Sequence, residues 1–276
     1  MKILIPFSGG INSTYSLYRW LTETDVDIVA RGAYDKFESE EYNSREIKKL
    51  REIVIFLKSE VRDFDFQMVN WSIDYVEERT PIRPGFSSKY NVGALKPRYE
   101  TFPLWIKETD ADAISIGVSL ENTALDVGYN TLRSIVEPTG VDIYLGGIRD
   151  LTPVPQGDDF DWDDISLKII GRFEQYESIP KELQSLVVKC DLNTCEDNQC
   201  RTCAYQRTYE KFISKGKTGR DFDLYCAKKG SYGPWRHEAD PETYLYRGSM
   251  LIGKLNSLGT EMSELGYLSY TNSINK

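Results

Sequence analysis

Histidine is almost missing from this chain, with His237 the only one in 276 residues. A histidine-rich metal site therefore has no material, and with no second histidine or nearby acid pair to support it His237 reads as a surface or packing residue more than as a ligand or base. Long apolar runs are missing too. The run Ile53-Val54-Ile55-Phe56-Leu57 is among the longest, far short of the ~20 residues that span a bilayer. The apolar stretch at the N-terminus is too short for the hydrophobic region of a secretory signal. Positive charge is in deficit, 34 Lys and Arg against 43 Asp and Glu for a net charge of −9, which disfavours broad attraction to nucleic acid or anionic membranes. Internal repeats and low-complexity tracts are absent. The expectation is a cytoplasmic globular protein that acts on a small molecule, with no stable nucleic-acid binding and no membrane attachment.

What is present begins at the N-terminus. The apolar run Ile3-Leu4-Ile5-Pro6-Phe7 leads directly into Ser8-Gly9-Gly10-Ile11-Asn12-Ser13, and a helical segment follows over 14–24. Strand, glycine-rich turn and helix, in that order, form a phosphate site in α/β proteins. Glycines let the backbone approach an anion, the first turn of the helix offers N–H groups with no intrahelical acceptor, and Ser8 and Ser13 add hydroxyls. The loop is not the G-x-x-x-x-G-K-[ST] phosphate loop, because no lysine follows the glycines, and it is not the G-x-G-x-x-G dinucleotide fingerprint. A tight turn with no ligand remains the alternative for so short a motif.

Further along, 26–34 reads as a second buried strand. Glu40–Glu60 is the strongest helix, with apolar Ile47, Leu50, Val54, Leu57 and Val61 at three- and four-residue spacing. A third strand is predicted over 64–71, a helix over 104–108 and a fourth strand over 113–118. Residues 72–95, with Pro81, Pro84, Gly85 and Gly93, read as a long loop over an active site, where Lys89 and Lys96 are candidate anion ligands and ordinary solvated lysine is the plainer reading. Alternation of strands and helices predicts a mainly parallel sheet covered on both faces. The expected division is a nucleotide-binding α/β domain over 1–150 and a mainly helical region over 151–276. The acidic run at 157–164 reads as a solvated loop, and 165–173 as a short helix.

Cysteine is sparse but concentrated. Four of the five lie within fourteen residues as Cys190-x4-Cys195-x4-Cys200-x2-Cys203, among turn-forming Asp and Asn. Four thiolates on one short loop suit a closed, structural zinc site, with an iron–sulfur cluster as the competing assignment. A helix is predicted behind it over 205–214. Cys226, set apart, reads as a free thiol.

The loop and the cysteine cluster together resemble 7-cyano-7-deazaguanine synthase, the QueC family, a branch of the ATP pyrophosphatases whose loop reads S-G-G-x-D-S. Tyr34, Arg45-Glu46, Pro97-Arg98 and Ile116-Gly117 follow the same frame. The likeness covers about 1–215 and departs from the family at Asn12, where the pattern has Asp, at Tyr99, near the family's Asn, and in one cysteine gap. It implies an adenine nucleotide alpha hydrolase-like fold, Rossmann-like in plan, with a smaller helical, zinc-bearing C-terminal region. It implies ATP, Mg2+ and Zn2+, a 7-deazaguanine acid and ammonia as substrates, and a homodimer. Ser8, Gly9, Gly10, Asn12 and Ser13 would then cradle the β and γ phosphates, with Asn12 also close to the chemistry. Arg98 would bind phosphate or the substrate carboxylate, or else be a surface helix arginine. Gly117 would lie where adenine or ribose crosses a strand end, or else where a helix packs closely. The alternatives are another adenylating enzyme of the same loop class, acting on a different acid or a macromolecule, and a nucleotide-binding protein with impaired catalysis.

Overall fold

A computed structural model describes residues 1–34, 40–70, 101–119, 132–157, 165, 168–187 and 209–228. Among these residues five strands form one parallel sheet: β1 (Lys2–Phe7), β2 (Asp27–Tyr34), β3 (Asp65–Asn70), β4 (Ala113–Ile116) and β5 (Asp142–Leu145), in the order β3-β2-β1-β4-β5. Helix α1 (Ile11–Glu23) joins β1 to β2, α2 (Glu40–Glu60) lies between β2 and β3, and α3 (Phe102–Thr109) precedes β4. Beyond β5 come α4 (Arg172–Glu177), α5 (Lys181–Leu186) and α6 (Gly219–Lys228), with helical residues 209–213 before α6.

Alternation along β1 divides the core between the two faces of the sheet. Ile3, Ile5 and Phe7 face one side, where Leu17 and Trp20 of α1 and Leu50, Ile53 and Leu57 of α2 close over them. Leu4 faces the other, with Ile114 and Ile143 from neighbouring strands and Phe102, Trp105 and Ile106 of α3. The predicted parallel, doubly covered sheet is what forms. Each fully buried Ile or Leu here stabilises the fold by about 2 kcal/mol. The first cluster continues into Phe173, Tyr176, Leu183, Tyr209 and Phe222. Phe173 sits at its centre, with ring centroids 4.4 Å from Tyr209 and 4.9 Å from Phe222.

Two expectations are corrected. Helix α1 begins at Ile11 rather than residue 14, because the Gly10 carbonyl already accepts from the Thr14 N–H at 3.0 Å. Residues 165–173 are not one helix: Ile169 makes an antiparallel bridge with Ile148, and Gly171, extended at ψ 162°, starts α4. The acidic run from 158 to 164, the loop predicted over 72–95 with Lys89 and Lys96, Tyr99 and His237 lie outside the described residues. Among the described residues no helix is long and apolar enough to cross a membrane.

Three tyrosines of the first cluster hold their protons above the ordinary phenol range. Burial raises Tyr15 and Tyr144, and burial together with the bond from Tyr209 Oη to Glu177 Oε1, 2.9 Å, raises Tyr209. Each binds its proton more tightly folded than unfolded. Their contribution is therefore intact below pH ~10 and is lost as the pH climbs above it. Urea denaturation between pH 8 and 11.5 should show stability falling only above about pH 10, with a shallower fall in Tyr209→Phe.

Candidate functional site

The strand order places the Ser8–Ser13 loop at a topological switch point. From the carboxyl end of the central strand β1, α1 leads to β2 on one side, while β4 lies on the other. Parallel α/β sheets bind ligands in the crevice outside such a point. The crevice is opened by register. β1 pairs with β4 only at Ile3 and Leu4 but with β2 all the way to Phe7, and the β4 pairing stops short of Pro6, which has no N–H to donate.

Gly9 turns the chain with φ at +70°, and Gly10 is the N-cap of α1 with φ −75° and ψ 165°. Gly10 supplies no side-chain cap, and the first turn carries no acidic residue. The N–H groups of Ile11, Asn12 and Ser13 therefore keep the helix's positive end uncompensated, a field that favours an anion. The hydroxyls are pre-set around this turn. Ser8 Oγ lies 3.0 Å from Ser13 Oγ, which also accepts from the Ser8 N–H at 3.2 Å and donates to the Gly10 carbonyl at 3.2 Å. Ser13 is buried and acts as a strut, whereas Ser8 is exposed and faces solvent.

A second contact holds the turn from outside. Asn12 Nδ2 donates to Ser119 Oγ at 3.1 Å, and Asn12 Oδ1 is buried with no hydrogen-bond partner among the described residues. Gly117 lies against the same turn, so close that a Cβ there would stand 2.6 Å from the Ser13 nitrogen and 2.7 Å from the Asn12 carbonyl. The open side of Gly117 is thus occupied by the Asn12–Ser13 peptide. One turn lower, a Cβ on Gly146 would stand 2.1 Å from Ser16 Oγ, and Ser115 Oγ lies 3.1 Å from Ser16 Oγ while accepting from Trp20 Nε1 at 2.8 Å. Small residues let α1 press into the β4–β5 edge.

The structure thus brings Ser8, Gly9, Gly10, Asn12, Ser13 and Gly117 together at one strand edge. Arg98 and the four cysteines, Cys190, Cys195, Cys200 and Cys203, lie outside the described residues. Among the described residues no group of three or more His, Cys, Asp or Glu is placed to hold a metal ion. As a donor set for magnesium the loop offers neutral oxygens, Asn12 Oδ1 and Ser8 Oγ, and no carboxylate. It suits a cation that arrives on phosphate better than one held by protein alone. Sequence reasoning missed Ser119, which sits 107 positions from Asn12, and the Gly146-Gly147 pair, whose position just after an apolar run was the available signal.

No protein-family model and no curated protein sequence matches the chain. Solved structures similar to it include the U34-tRNA thiolase NcsA from Methanococcus maripaludis with its 4Fe–4S cluster, at 16% identity over 78% of this chain and 73% of that one, TM-score 0.39. Another is NMN synthetase from Francisella tularensis, at 11% identity over 92% of this chain and 84% of that one, TM-score 0.42. Both likenesses are weak.

A separate polar cleft opens at the other end of the strands, lined by Lys2, Asp27, Arg62, Asp65, Gln67 and Glu108 among others. It includes none of the loop residues.

The two loop glycines differ in what they require. Gly9 adopts a backbone conformation that costs an L-residue about 1–2 kcal/mol, while a Cβ on Gly10 would meet only Ser8 Oγ at 3.5 Å, an ordinary contact. Thermal melts should show Gly9→Ala destabilised by about that amount and Gly10→Ala near the parent.

Proposed function

We propose that this chain is an ATP-using ligase of the ATP-pyrophosphatase class that converts 7-carboxy-7-deazaguanine and ammonia to 7-cyano-7-deazaguanine. The observation that carries the nucleotide part of this reading is the Ser8–Ser13 loop, with Gly9 at positive φ, at the switch point of a parallel sheet. The resemblance of the loop and cysteine motifs to the QueC family carries the choice of acid.

A carboxylate repels nucleophiles, and adenylation exchanges its oxide for a good leaving group. The substrate carboxylate oxygen attacks the α-phosphorus of ATP and pyrophosphate departs. Ammonia adds to the acyl carbon, and AMP and a proton leave to give the amide. The amide oxygen then attacks the α-phosphorus of a second ATP, and loss of pyrophosphate, AMP and two protons gives the nitrile. The first-turn N–H groups and Ser8 Oγ would bind the β and γ phosphates, with Ser13 holding Ser8 in place. Gly117 would keep this turn against the strand end where the nucleoside crosses. Arg98 would fix the α-phosphate or the carboxylate through its planar guanidinium. Asn12 Oδ1 and Ser8 Oγ are the neutral oxygens the loop could offer a magnesium ion, whose charge would offset that of the phosphates. Cys190, Cys195, Cys200 and Cys203 would hold a structural zinc.

Asn12 favours a second reading. An amide in place of a carboxylate brings no negative charge, so the chain would hold ATP yet turn it over slowly. Incubating the full chain with ATP, ammonium and 7-carboxy-7-deazaguanine separates the cases. Two AMP and two pyrophosphate per nitrile is the expected result. AMP released only with some other acid moves the substrate, and ATP retained unhydrolysed supports the binding protein. Metal analysis should find about one zinc per chain, lost on Cys203→Ser; iron in its place would indicate a cluster.

A further inference from the structure

We infer that Gln175, on α4 in the second half of the chain, is a positioning residue for the Ser8–Ser13 loop and acts through Val118 and Ser119. The inference rests on the anion-binding reading of that loop. Gln175 is fully buried. Its Nε2 donates to the Val118 carbonyl at 2.6 Å and to the Ile170 carbonyl at 3.2 Å, so both amide hydrogens go to backbone. Val118 stands between the two residues that grip the first turn of α1. Gly117 backs the Asn12–Ser13 peptide, and Ser119 Oγ accepts from Asn12 Nδ2. Gln175 therefore fixes the middle of a three-residue segment whose ends fix the loop.

The surroundings are shaped to admit this contact. A Cβ on Gly147 would stand 2.2 Å from the Val118 carbonyl oxygen and 2.8 Å from Gln175 Nε2, so the bond has room only because residue 147 is glycine. The amide has two opposed effects here: it satisfies the Val118 and Ile170 carbonyls, and it leaves its own oxygen unpaired among the described residues. The buried Oε1 is a cost that an apolar side chain of similar size would not carry. What the amide supplies is a directional tether on one carbonyl, the kind of outer support that keeps a binding constellation in register.

The test is a double-mutant cycle on the full chain, with inorganic pyrophosphate as the probe and calorimetric titration as the readout. Gln175→Met and Ser119→Ala should each weaken pyrophosphate binding by roughly tenfold, and the double variant should bind no more weakly than the worse single one. A merely structural role lowers the melting temperature without producing this coupling. Losses that multiply in the double variant, or unchanged affinity in Gln175→Met, overturn the inference while leaving the loop as the anion site. No pyrophosphate binding by the parent chain overturns both. If Gln175→Met does not fold, the same cycle with Gln175→Asn decides, since its amide falls one methylene short of the Val118 carbonyl.

Discussion

Gly117→Ala should abolish measurable pyrophosphate and ATP binding while the sheet remains folded. The added methyl would stand 2.6 Å from the Ser13 nitrogen and 2.7 Å from the Asn12 carbonyl carbon and oxygen. All three are backbone atoms of a helix turn, so no rotamer change relieves the clash. Either the first turn of α1 moves outward or the exit of β4 does, and each displaces the N–H groups from the Ser8 hydroxyl they converge with. Overpacking of this kind costs about 1–3 kcal/mol, so urea denaturation should show a moderate loss of stability beside the complete loss of binding. Parent-like affinity in Gly117→Ala would mean that the anion does not bind at this helix end.

Arg19→Met should give the opposite pattern, a large loss of stability with pyrophosphate affinity within about twofold of the parent. Arg19 is buried on α1, away from the loop. It donates through Nη1 to the Ile148 carbonyl and through Nη2 to the Arg149 carbonyl at 2.8 Å, and it forks onto Glu23 at 2.7 and 2.8 Å. Methionine fills much of the same volume but leaves two carbonyls without their donor. At about 1–3 kcal/mol for each acceptor left unsatisfied, the expected loss is roughly 3 kcal/mol. Arg19→Lys should recover little of it, because an ammonium group cannot reproduce the planar fork. Unfolding midpoints in urea report the first part and calorimetric titration the second. A large loss of affinity in Arg19→Met would show that the 148–149 backbone also shapes the anion site.

Why some of this was legible in the sequence and some was not follows from the range of the interactions. Helix α2 has the ends its sequence predicts, because Leu50, Ile53, Val54 and Leu57 repeat at helical spacing over a long segment. β1, β4 and the Ile28-Val29-Ala30 stretch of β2 stand out as apolar runs, since strands covered on both faces leave few positions for polar residues. The edge strand β3 shows instead as Phe66 and Met68 alternating with Asp65 and Gln67. β5 offers only Ile143, Tyr144 and Leu145 behind the charged Asp142, and α4 and α5 are six residues each, too short for a helical period to register. The sequence places the start of α1 too late because Gly10, Asn12 and Ser13 are turn-forming residues. All are compatible with a cap and first helical turn, and the Gly10 carbonyl decides the matter by taking the Thr14 N–H. At 165–173 the isoleucine spacing imitates a helix, yet Ile169 is taken by a bridge to Ile148, a partner outside its own window. The candidate site divides in the same way. Its loop is contiguous and readable. Its supports, Ser119 and Gln175, reach it across 107 and 57 positions, from Asn12 and Val118 respectively, and carry no local mark.

The uncharged character of the loop has a consequence for solution behaviour. From Ser8 to Thr14 the chain contains no residue that gains or loses a proton in the working pH range, and backbone N–H groups at a helix end do not titrate. The attraction this turn exerts is a constant of the fold. Any change in anion capture between pH 5 and 9 that arises at the loop is therefore set by the ionisation of the phosphate itself, and the loop behaves as a fixed electrode on which the ligand writes its own titration curve.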